Sequence, residues 1–280
     1  MNPRVRLLAI DIDGTLLNSK FQLSPAVQHA LQRAHRAGVE ILLVTGRRHL
    51  FALPIAQEAS VPLWLISSNG AVTRSLEGEL FHQELLPLVT AQLLCRHMDE
   101  FRRHMVLTFE CEGRGALVLE SMSYFNGSIF GWVQKNRDYI AEVAPIEQSL
   151  TRDPIQAMYC GGVDRMREVM ARLEHADVAP HVTVVKTEYP KRDLCIVDIL
   201  NAKASKAAAV ERWARHRGFE RAQVAAIGDN FNDVAMLAFA GVPFIMGNAD
   251  PELKQNGWRV LPSNDEDGVA AAVDEILNAQ

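Results

Sequence analysis

The sequence predicts an α/β protein, in which a doubly wound parallel sheet carries an inserted α+β domain. Both ends of the chain alternate short apolar runs with amphipathic helical segments, which is typical of strand–helix units in a parallel sheet. Apart from Arg6 and Glu40 near their starts, the runs are apolar, as expected for strands that are buried on both faces. The middle of the chain mixes helices with shorter strands, and 280 residues are enough for two hydrophobic cores.

The N-terminal part of the predicted sheet contains three strands and one clear helix. Its apolar runs lie at residues 5–10, 39–44 and 64–66. Ser24 followed by Pro25 is typical of a helix N-terminus, and Gly38 is typical of the position just after a helix. The segment between them therefore predicts the first helix.

The C-terminal part continues the same alternation. Ser205 predicts the start of a helix that Gly218 ends. Apolar runs at residues 224–227 and 242–246 predict two more strands. A final helix is predicted from the helical spacing of Val269, Val273, Ile276 and Leu277.

The domain boundaries follow from the change in pattern. We assign residues 1–83 and 194–280 to the core domain and residues 84–193 to the α+β insertion. Short strands in and beside the insertion are predicted at residues 105–109, 116–119, 183–185 and 195–197.

Composition limits the classes of function. The chain is 48% hydrophobic and 22% charged with a net charge of -5, which is ordinary for a soluble protein and disfavours nucleic acid as the main partner. Basic pairs such as Arg47–Arg48 are interpreted as solvated surface. No apolar run approaches the roughly 20 residues of a membrane span, so no membrane partner is expected. Four cysteines without metal-ligand spacing favour reduced thiols and a cytoplasmic location.

Two carboxylates directly follow the first predicted strand. Asp11 and Asp13 are separated by one residue, and Gly14 and Thr15 come next. Because open α/β sheets bind ligands at the carboxyl ends of their strands, we expect these acids to share a metal ion in a site. The alternative is an ordinary turn, in which Asp and Gly are common.

A second acidic group follows the predicted strand at residues 224–227. Asp229 and Asp233 are four residues apart, so they face the same way on a helical turn. Together with the first acids they offer an oxygen-only ligand set, which suits Mg²⁺ better than zinc. Helix capping is the alternative, but capping needs one Asp or Asn and this segment contains several.

Thr45, Gly46 and Lys206 occupy strand and helix ends on the same expected side of the sheet. The Thr45 hydroxyl and the backbone N–H groups near Gly46 are suited to hold phosphate oxygens. Lys206 lies in the first turn of a predicted helix, where the helix dipole favours an anion. Taken singly, Thr45 is interpreted as a turn residue and Lys206 as a surface lysine, whereas their shared position favours an anion site.

Four segments in chain order resemble the motifs of the haloacid dehalogenase-like hydrolases. They are Asp11–Thr15 (DIDGT), Thr45–Arg47 (TGR), Lys206 and Gly228–Asp233 (GDNFND). The large insertion after residues 68–70 (SNG), and residues 266–269 (EDGV), are similar to the Cof-type phosphatases of subfamily IIB. One departure concerns the motif lysine, which the family usually follows with glycine, whereas this chain has Ala207. Lys203 lies close by, and spacing together with the following helix favours Lys206.

The resemblance implies the chemistry. Asp11 is expected to be the nucleophile that forms an aspartyl-phosphate, and Asp13 the group that protonates the leaving oxygen and then deprotonates water. An acid two residues after the nucleophile implies a phosphate ester as substrate, which favours a phosphatase over a dehalogenase. A phosphomutase of related architecture and a non-catalytic sensor of phosphorylated metabolites remain alternatives.

The resemblance also implies a cofactor and the residues that bind substrate. Mg²⁺ is expected to be held by Asp11, the backbone carbonyl of Asp13 and Asp229, with Asp233 orienting these ligands. The phosphoryl group is expected to contact Thr45, Gly46, Lys206 and Asn232.

A small phosphorylated metabolite, such as a sugar phosphate, is the substrate that the resemblance implies. The insertion is expected to act as a cap that contacts the leaving group. Its candidate residues are Tyr124, Phe125, Phe130, Trp132 and the segment 186–192, for all of which cap core or solvated surface is the alternative.

Overall fold

The computed structural model describes residues 5–279, so the first four residues and the last residue of the predicted core lie outside the described residues. The contacts divide the chain into two compact units. One unit ends at Gln83 and resumes at Ser205, and the other runs from Glu84 to Ala204. The boundary predicted at residue 194 differs from this division. Residues Leu194–Asn201 form a strand that pairs on both sides within the sheet of the second unit.

The elements alternate along the chain as follows. The strands are β1 (Leu7–Asp11), β2 (Glu40–Val44), β3 (Leu63–Ser67), β4 (Val72–Ser75), β5 (Leu80–Gln83), β6 (Met105–Thr108), β7 (Leu117–Leu119), β8 (Ile140–Glu142), β9 (Gln156–Gly161), β10 (Val182–Tyr189), β11 (Leu194–Asn201), β12 (Val224–Gly228), β13 (Val242–Ile245) and β14 (Arg259–Val260). The helices are α1 (Pro25–Arg36), α2 (His49–Glu58), α3 (Leu88–His97), α4 (Phe130–Lys135), α5 (Val163–Glu174), α6 (Lys206–His216), α7 (Val234–Phe239) and α8 (Gly268–Asn278). Among residues 5–279, no helix is both long enough and apolar enough to cross a membrane.

The first unit contains one sheet in the order β14-β13-β12-β1-β2-β3-β4-β5. The pairs from β14 to β3 are parallel, and β4 and β5 add an antiparallel edge. The register places Asp11 beside Val44 and Ile10 beside Ile227, so β1, β2 and β12 end at the same level. The predicted parallel α/β sheet is confirmed.

Two apolar layers explain why the central strands are continuously apolar. Leu8 and Ile10 of β1 point to the layer that includes residues of α1, α2 and α8. Leu7 and Ala9 point to the opposite layer, which includes residues of α6 and α7. The sheet is therefore covered by helices on both faces, as a doubly wound fold requires.

Two serine caps fix where helices begin in this unit. The Ser24 hydroxyl accepts a hydrogen bond from the N–H of Val27, and the Ser205 hydroxyl accepts one from the N–H of Ala208. Both predicted helix starts agree with the structure. Because Ser205 is the cap, Lys206 is the first residue of α6.

The second unit contains a sheet in the order β10-β11-β9-β6-β7-β8, which is antiparallel except for the β7–β8 pair. Helices α3 and α5 pack on one face, and α4 packs on the other. Among the candidate substrate contacts, Phe125 is 3% exposed and belongs to this unit's core. Tyr124 and Phe130 are exposed, and Trp132 packs partly buried against the same core.

Candidate active site

The first unit brings the predicted site residues to the aligned ends of its central strands. Asp11 is the last residue of β1, and Thr45 directly follows β2. Asp229 directly follows β12. Parallel strands that end at one level therefore bring together side chains from remote parts of the sequence.

Lys206 links two of these acids. Its Nζ lies 2.6 Å from Asp11 Oδ1 and 2.7 Å from Asp233 Oδ1. The residue is 3% exposed, because the first turn of α6 aims it into the site. Lys203 is exposed, so of the two candidate lysines it is Lys206 that reaches the acids.

Both carboxylate oxygens of Asp233 are engaged by protein donors. Oδ1 accepts from Lys206, and Oδ2 accepts from the backbone N–H groups of Asp229 and Asn230, each at 3.1 Å. Gly228 permits this approach, since a Cβ there would lie 2.5 Å from the Cβ of Asp233. The arrangement fixes the turn that presents Asp229.

Asp229 faces the loop that follows β1. Its Oδ1 accepts a hydrogen bond from the Thr15 hydroxyl at 2.9 Å. A Cβ on Gly14 would lie 2.3 Å from Asp229 Oδ2, so any larger residue there would displace the Asp229 carboxylate. One carboxylate oxygen from each of Asp11, Asp229 and Asp233 lies within 4.8 Å of the other two. Clustered carboxylates of this kind suit a hard divalent cation.

The electrostatics of the cluster also favour a cation. Burial, together with repulsion from Asp233 and Asp229, raises the pKa of Asp11 well above its usual value, although Lys206 opposes the shift. Burial and the charge of Asp233 raise the pKa of Asp229 to about 7. If Asp11, Asp229 and Asp233 were all ionised, the single ammonium group of Lys206 would balance only one of their three negative charges. A bound cation would supply the missing positive charge.

Asp13 is held by an arginine from the next strand end. Arg47 donates from Nε to Asp13 Oδ2 at 2.7 Å and from Nη2 to Asp13 Oδ1 at 2.5 Å. The backbone N–H of Arg47 donates to the Thr45 hydroxyl at 3.0 Å. The Thr45 oxygen accepts this bond, so its own O–H remains available to a ligand.

A tight loop after β3 completes this side of the site. Ser68 and Asn69 have φ values of 49° and 52°, which are uncommon for residues other than glycine. The Asn69 N–H donates to the Thr45 carbonyl at 3.0 Å. The Asn69 Oδ1 accepts from Asn232 Nδ2 at 3.4 Å, which connects Asn232 to the Thr45–Gly46 turn.

Two of these residues are not predicted to belong to the site. Arg47 is interpreted from the sequence as solvated surface and Asn69 only as part of a motif, yet they contact Asp13 and Asn232. Arg47 directly follows Thr45 and Gly46 at a strand end, and that position is the available signal. Long-range pairing, across 34 residues for Arg47 and Asp13, is not visible from local pattern.

Comparisons with known proteins show likeness along nearly the whole chain. A family model described as haloacid dehalogenase-like hydrolase matches residues 8–273. The phosphatase YwpJ of Bacillus subtilis (strain 168) is 29% identical across 98% of this chain and 100% of its own length. The pyridoxal phosphate phosphatase YbhA of Escherichia coli (strain K12) is 28% identical across 95% of this chain and 96% of its own length.

A solved structure extends the likeness to three dimensions. The crystal structure of a haloacid dehalogenase-like hydrolase from Bacteroides thetaiotaomicron matches with a TM-score of 0.80 and 26% sequence identity. The match covers 98% of this chain and 100% of that chain. The likeness therefore spans both units.

Proposed function

The chain belongs to the haloacid dehalogenase-like hydrolases, and from this premise we propose that it hydrolyses phosphate monoesters of small metabolites through a covalent phosphoryl intermediate on Asp11. The family inferred from the sequence motifs, with its Cof-type resemblance, is confirmed. The chain is a phosphoric monoester hydrolase, since the relatives that match along its whole length are phosphatases. Sugar phosphates are the proposed substrates, and pyridoxal phosphate joins them because of the Escherichia coli relative.

The observation that carries the proposal is the double contact of Lys206 with Asp11 and Asp233. A carboxylate that approaches a phosphate dianion at ~4 Å costs about 8 kcal/mol at an effective dielectric near 20. A buried ammonium group beside the attacking oxygen offsets part of this repulsion. A buried lysine between two acids is therefore what an aspartate nucleophile requires.

The donor set at the site fits Mg²⁺. Because both Asp233 oxygens are already engaged by protein donors, Asp11, Asp229 and the Asp13 carbonyl are the groups that would hold the ion. The bound ion supplies positive charge that offsets the charge of the phosphoryl oxygens and restores the ionised form of the nearby acids. Asp233 orients Asp229 and Lys206 without binding the metal.

Two proton transfers by Asp13 complete the reaction. Asp11 attacks phosphorus, the bond from phosphorus to the leaving oxygen breaks, and Asp13 gives that oxygen a proton. Water then attacks the phosphoryl group and passes a proton to Asp13, and the bond to Asp11 breaks to release phosphate. The cycle returns both aspartates to their starting states.

The phosphoryl oxygens are proposed to contact four residues around Asp11. Lys206 provides an ammonium group and Thr45 an O–H for which no acceptor is recorded among residues 5–279. Gly46 contributes a backbone N–H for which the structure records no protein acceptor among residues 5–279. Asn232, which Asn69 supports at 3.4 Å, contributes an amide.

Substitution of the nucleophile tests the function. Asp11→Asn keeps the volume of the side chain and removes the attacking charge, so we expect loss of phosphate release from p-nitrophenyl phosphate with a far-ultraviolet circular dichroism spectrum unchanged. EDTA should stop turnover by the wild type, and Mg²⁺ should restore it. Normal rates for Asp11→Asn, or full activity in EDTA, would contradict the mechanism.

A substrate panel separates the alternatives. We expect phosphate release from at least one of the sugar phosphates, nucleotides, flavin mononucleotide and pyridoxal phosphate, with ¹⁸O from labelled water in the product. Transfer of the phosphoryl group to a second sugar hydroxyl without ¹⁸O uptake would indicate a phosphomutase. Binding without any turnover across the panel would indicate a sensor.

A further inference from the structure

We propose that Arg47 is a positioning residue that holds the Asp13 carboxyl group where it can reach the leaving oxygen. This inference rests on the proposed function, because Asp13 matters here as the proton-transfer group of that reaction. The motif pattern alone does not indicate a role for the Arg47 side chain. The hydrogen bonds from Arg47 to Asp13 do indicate one.

The geometry of the pair supports orientation rather than simple charge attraction. Two donors of one guanidinium group meet the two oxygens of one carboxylate, at 2.7 Å and 2.5 Å. Such a fork fixes the plane of the carboxylate as well as its place, whereas a single contact would leave it free to rotate. The Asp13 side chain is 37% exposed, and among residues 5–279 its recorded side-chain hydrogen bonds are those from Arg47.

The backbone of Arg47 is itself fixed at the proposed phosphoryl site. Its N–H donates to the Thr45 hydroxyl, and its carbonyl accepts from the N–H of Ser68 at 2.8 Å. The left-handed loop at Ser68 and Asn69 makes this second bond possible. Arg47 therefore relates the position of Asp13 to that of the Thr45–Gly46 turn, which the phosphoryl group is proposed to contact.

A purely stabilising role does not account for the pair. The two side chains are 29% and 37% exposed, and ion pairs at such exposure contribute little to the stability of a fold. A positioning role predicts an effect on activity that differs between substrates. Loss of Arg47 should lower kcat/KM most for substrates whose reaction depends on proton transfer by a well-placed Asp13.

Leaving groups provide that selectivity. An alkyl phosphate needs a proton on its departing oxygen, whereas p-nitrophenolate departs without one. Misplacement of a catalytic group by about 1 Å can cost 10²-fold in rate. We therefore expect Arg47→Met to lower kcat/KM for an alkyl phosphate roughly 10- to 100-fold, and for p-nitrophenyl phosphate less than about threefold.

The decisive experiment is a double-mutant cycle on both substrates. The variants are Arg47→Met, Arg47→Lys, Asp13→Asn and the Asp13→Asn/Arg47→Met double variant. Arg217→Met is the matched control, because Arg217 makes a forked contact with Glu40 away from the site, in which Nε donates to Oε2 at 3.1 Å and Nη2 donates to Oε1 at 2.5 Å. Turnover of p-nitrophenyl phosphate by the wild type tests the proposed function independently of Arg47.

Positioning predicts that Arg47→Met adds no further loss in the Asp13→Asn background. It also predicts that Arg47→Lys fails to rescue the alkyl substrate, since lysine keeps the charge and loses the fork. Three results would each overturn the inference: equal losses on both substrates with a raised KM, a full loss that persists in the Asp13→Asn background, or rescue by lysine. Unchanged alkyl turnover in Arg47→Met would overturn it as well.

Discussion

Lys206 combines two opposing electrostatic effects. Its burial alone would lower the pKa of the ammonium group, but the carboxylates of Asp11 and Asp233 more than reverse this and raise the pKa above its usual value. The lysine is therefore charged at neutral pH. A buried pair of this kind adds little net stability when complete, whereas removal of one partner leaves charges uncompensated in the interior.

Replacement of this lysine should affect both stability and turnover. We expect Lys206→Met to lower the free energy of unfolding at pH 7 by about 3 kcal/mol or more and to abolish phosphate release. Urea unfolding and an activity assay measure the two effects. Lys203→Met is the matched control, because Lys203 is exposed. This variant should lose little stability and little activity. Equal effects of the two substitutions would contradict the assignment of Lys206.

Gly14 supports a second residue-scale prediction. Its φ is +82°, and Gly38 has a similar φ of +85° with no atom within 4 Å of the place that a Cβ would take. Alanine at either position must adopt a left-handed backbone, which costs about 1 kcal/mol. Only at Gly14 does the new methyl group collide with Asp229.

Gly14→Ala should therefore weaken metal binding where Gly38→Ala does not. We expect the Mg²⁺ concentration for half-maximal activity to rise at least about tenfold in Gly14→Ala, as expected for displacement of a ligand or its support. The Mg²⁺ dependence of Gly38→Ala should match that of the wild type. If both variants shift alike, backbone strain rather than the contact with Asp229 is the cause.

At the scale of elements, helix α6 positions its first residue through its cap. The Ser205 hydroxyl satisfies the N–H of Ala208, and Lys206 follows at once. Close packing fixes the same place from the other side, since a Cβ on Gly70 would lie 2.1 Å from the Ser205 carbonyl oxygen. The Ser205 cap therefore helps to place Lys206 where its ammonium group contacts Asp11.

Two caps of the same chemistry can be compared in this chain. Ser24→Ala and Ser205→Ala each remove one cap, which should lower the free energy of unfolding by about 1 kcal/mol, and Ser24→Ala also removes the hydrogen bond from the Ser24 hydroxyl to Asp267. Only Ser205→Ala should also lower kcat, because only that helix carries a site residue at its start. Urea unfolding curves measure the stability of each variant, and steady-state kinetics measure kcat. An equal loss of kcat in both variants would contradict a specific role of the Ser205 cap in placing Lys206.

The same elements show what local pattern can predict. The strands β1, β2 and β12 are predictable because burial on both faces demands an unbroken apolar run. The edge strands β4 and β5 are not, since VTRS and LFHQ carry polar residues that an exposed edge tolerates. The prediction for strand β11 is too short, and pairing with β9 and β10 places its segment in the other unit.

The site shows the same division between local and remote signals. Asp11, Asp229 and Lys206 are predictable because each stands at a strand or helix end that the sequence itself marks. The partners of Arg47 and Asn69 depend on how separate strands align, which no local spacing encodes. Sequence therefore predicts the chemical groups of the site better than the contacts that orient them.

At the scale of the whole molecule, burial of the acids makes stability depend on pH. Asp11 and Asp229 hold protons to a higher pH in the folded protein than in the unfolded chain, because burial raises the pKa of each. Between about pH 4 and about pH 7 the folded state therefore binds more protons than the unfolded state. By linkage, these two carboxyl groups contribute a free energy of unfolding that falls as the pH rises through this range, whereas His104, whose pKa is lowered by burial, contributes with the opposite sign.

The prediction applies to the protein without metal and reverses a common trend. In EDTA, urea unfolding at pH 4.5, 5.5, 6.5 and 7.5 should give a free energy of unfolding that decreases stepwise with pH. A divalent cation competes with protons for the same carboxylates, so millimolar Mg²⁺ should flatten the decrease and stabilise the protein most at the highest pH. Asp229→Asn cannot ionise at this position and should show a shallower dependence than the wild type. If Asp229→Asn shows the same pH dependence as the wild type in EDTA, the fold does not hold this carboxyl group protonated.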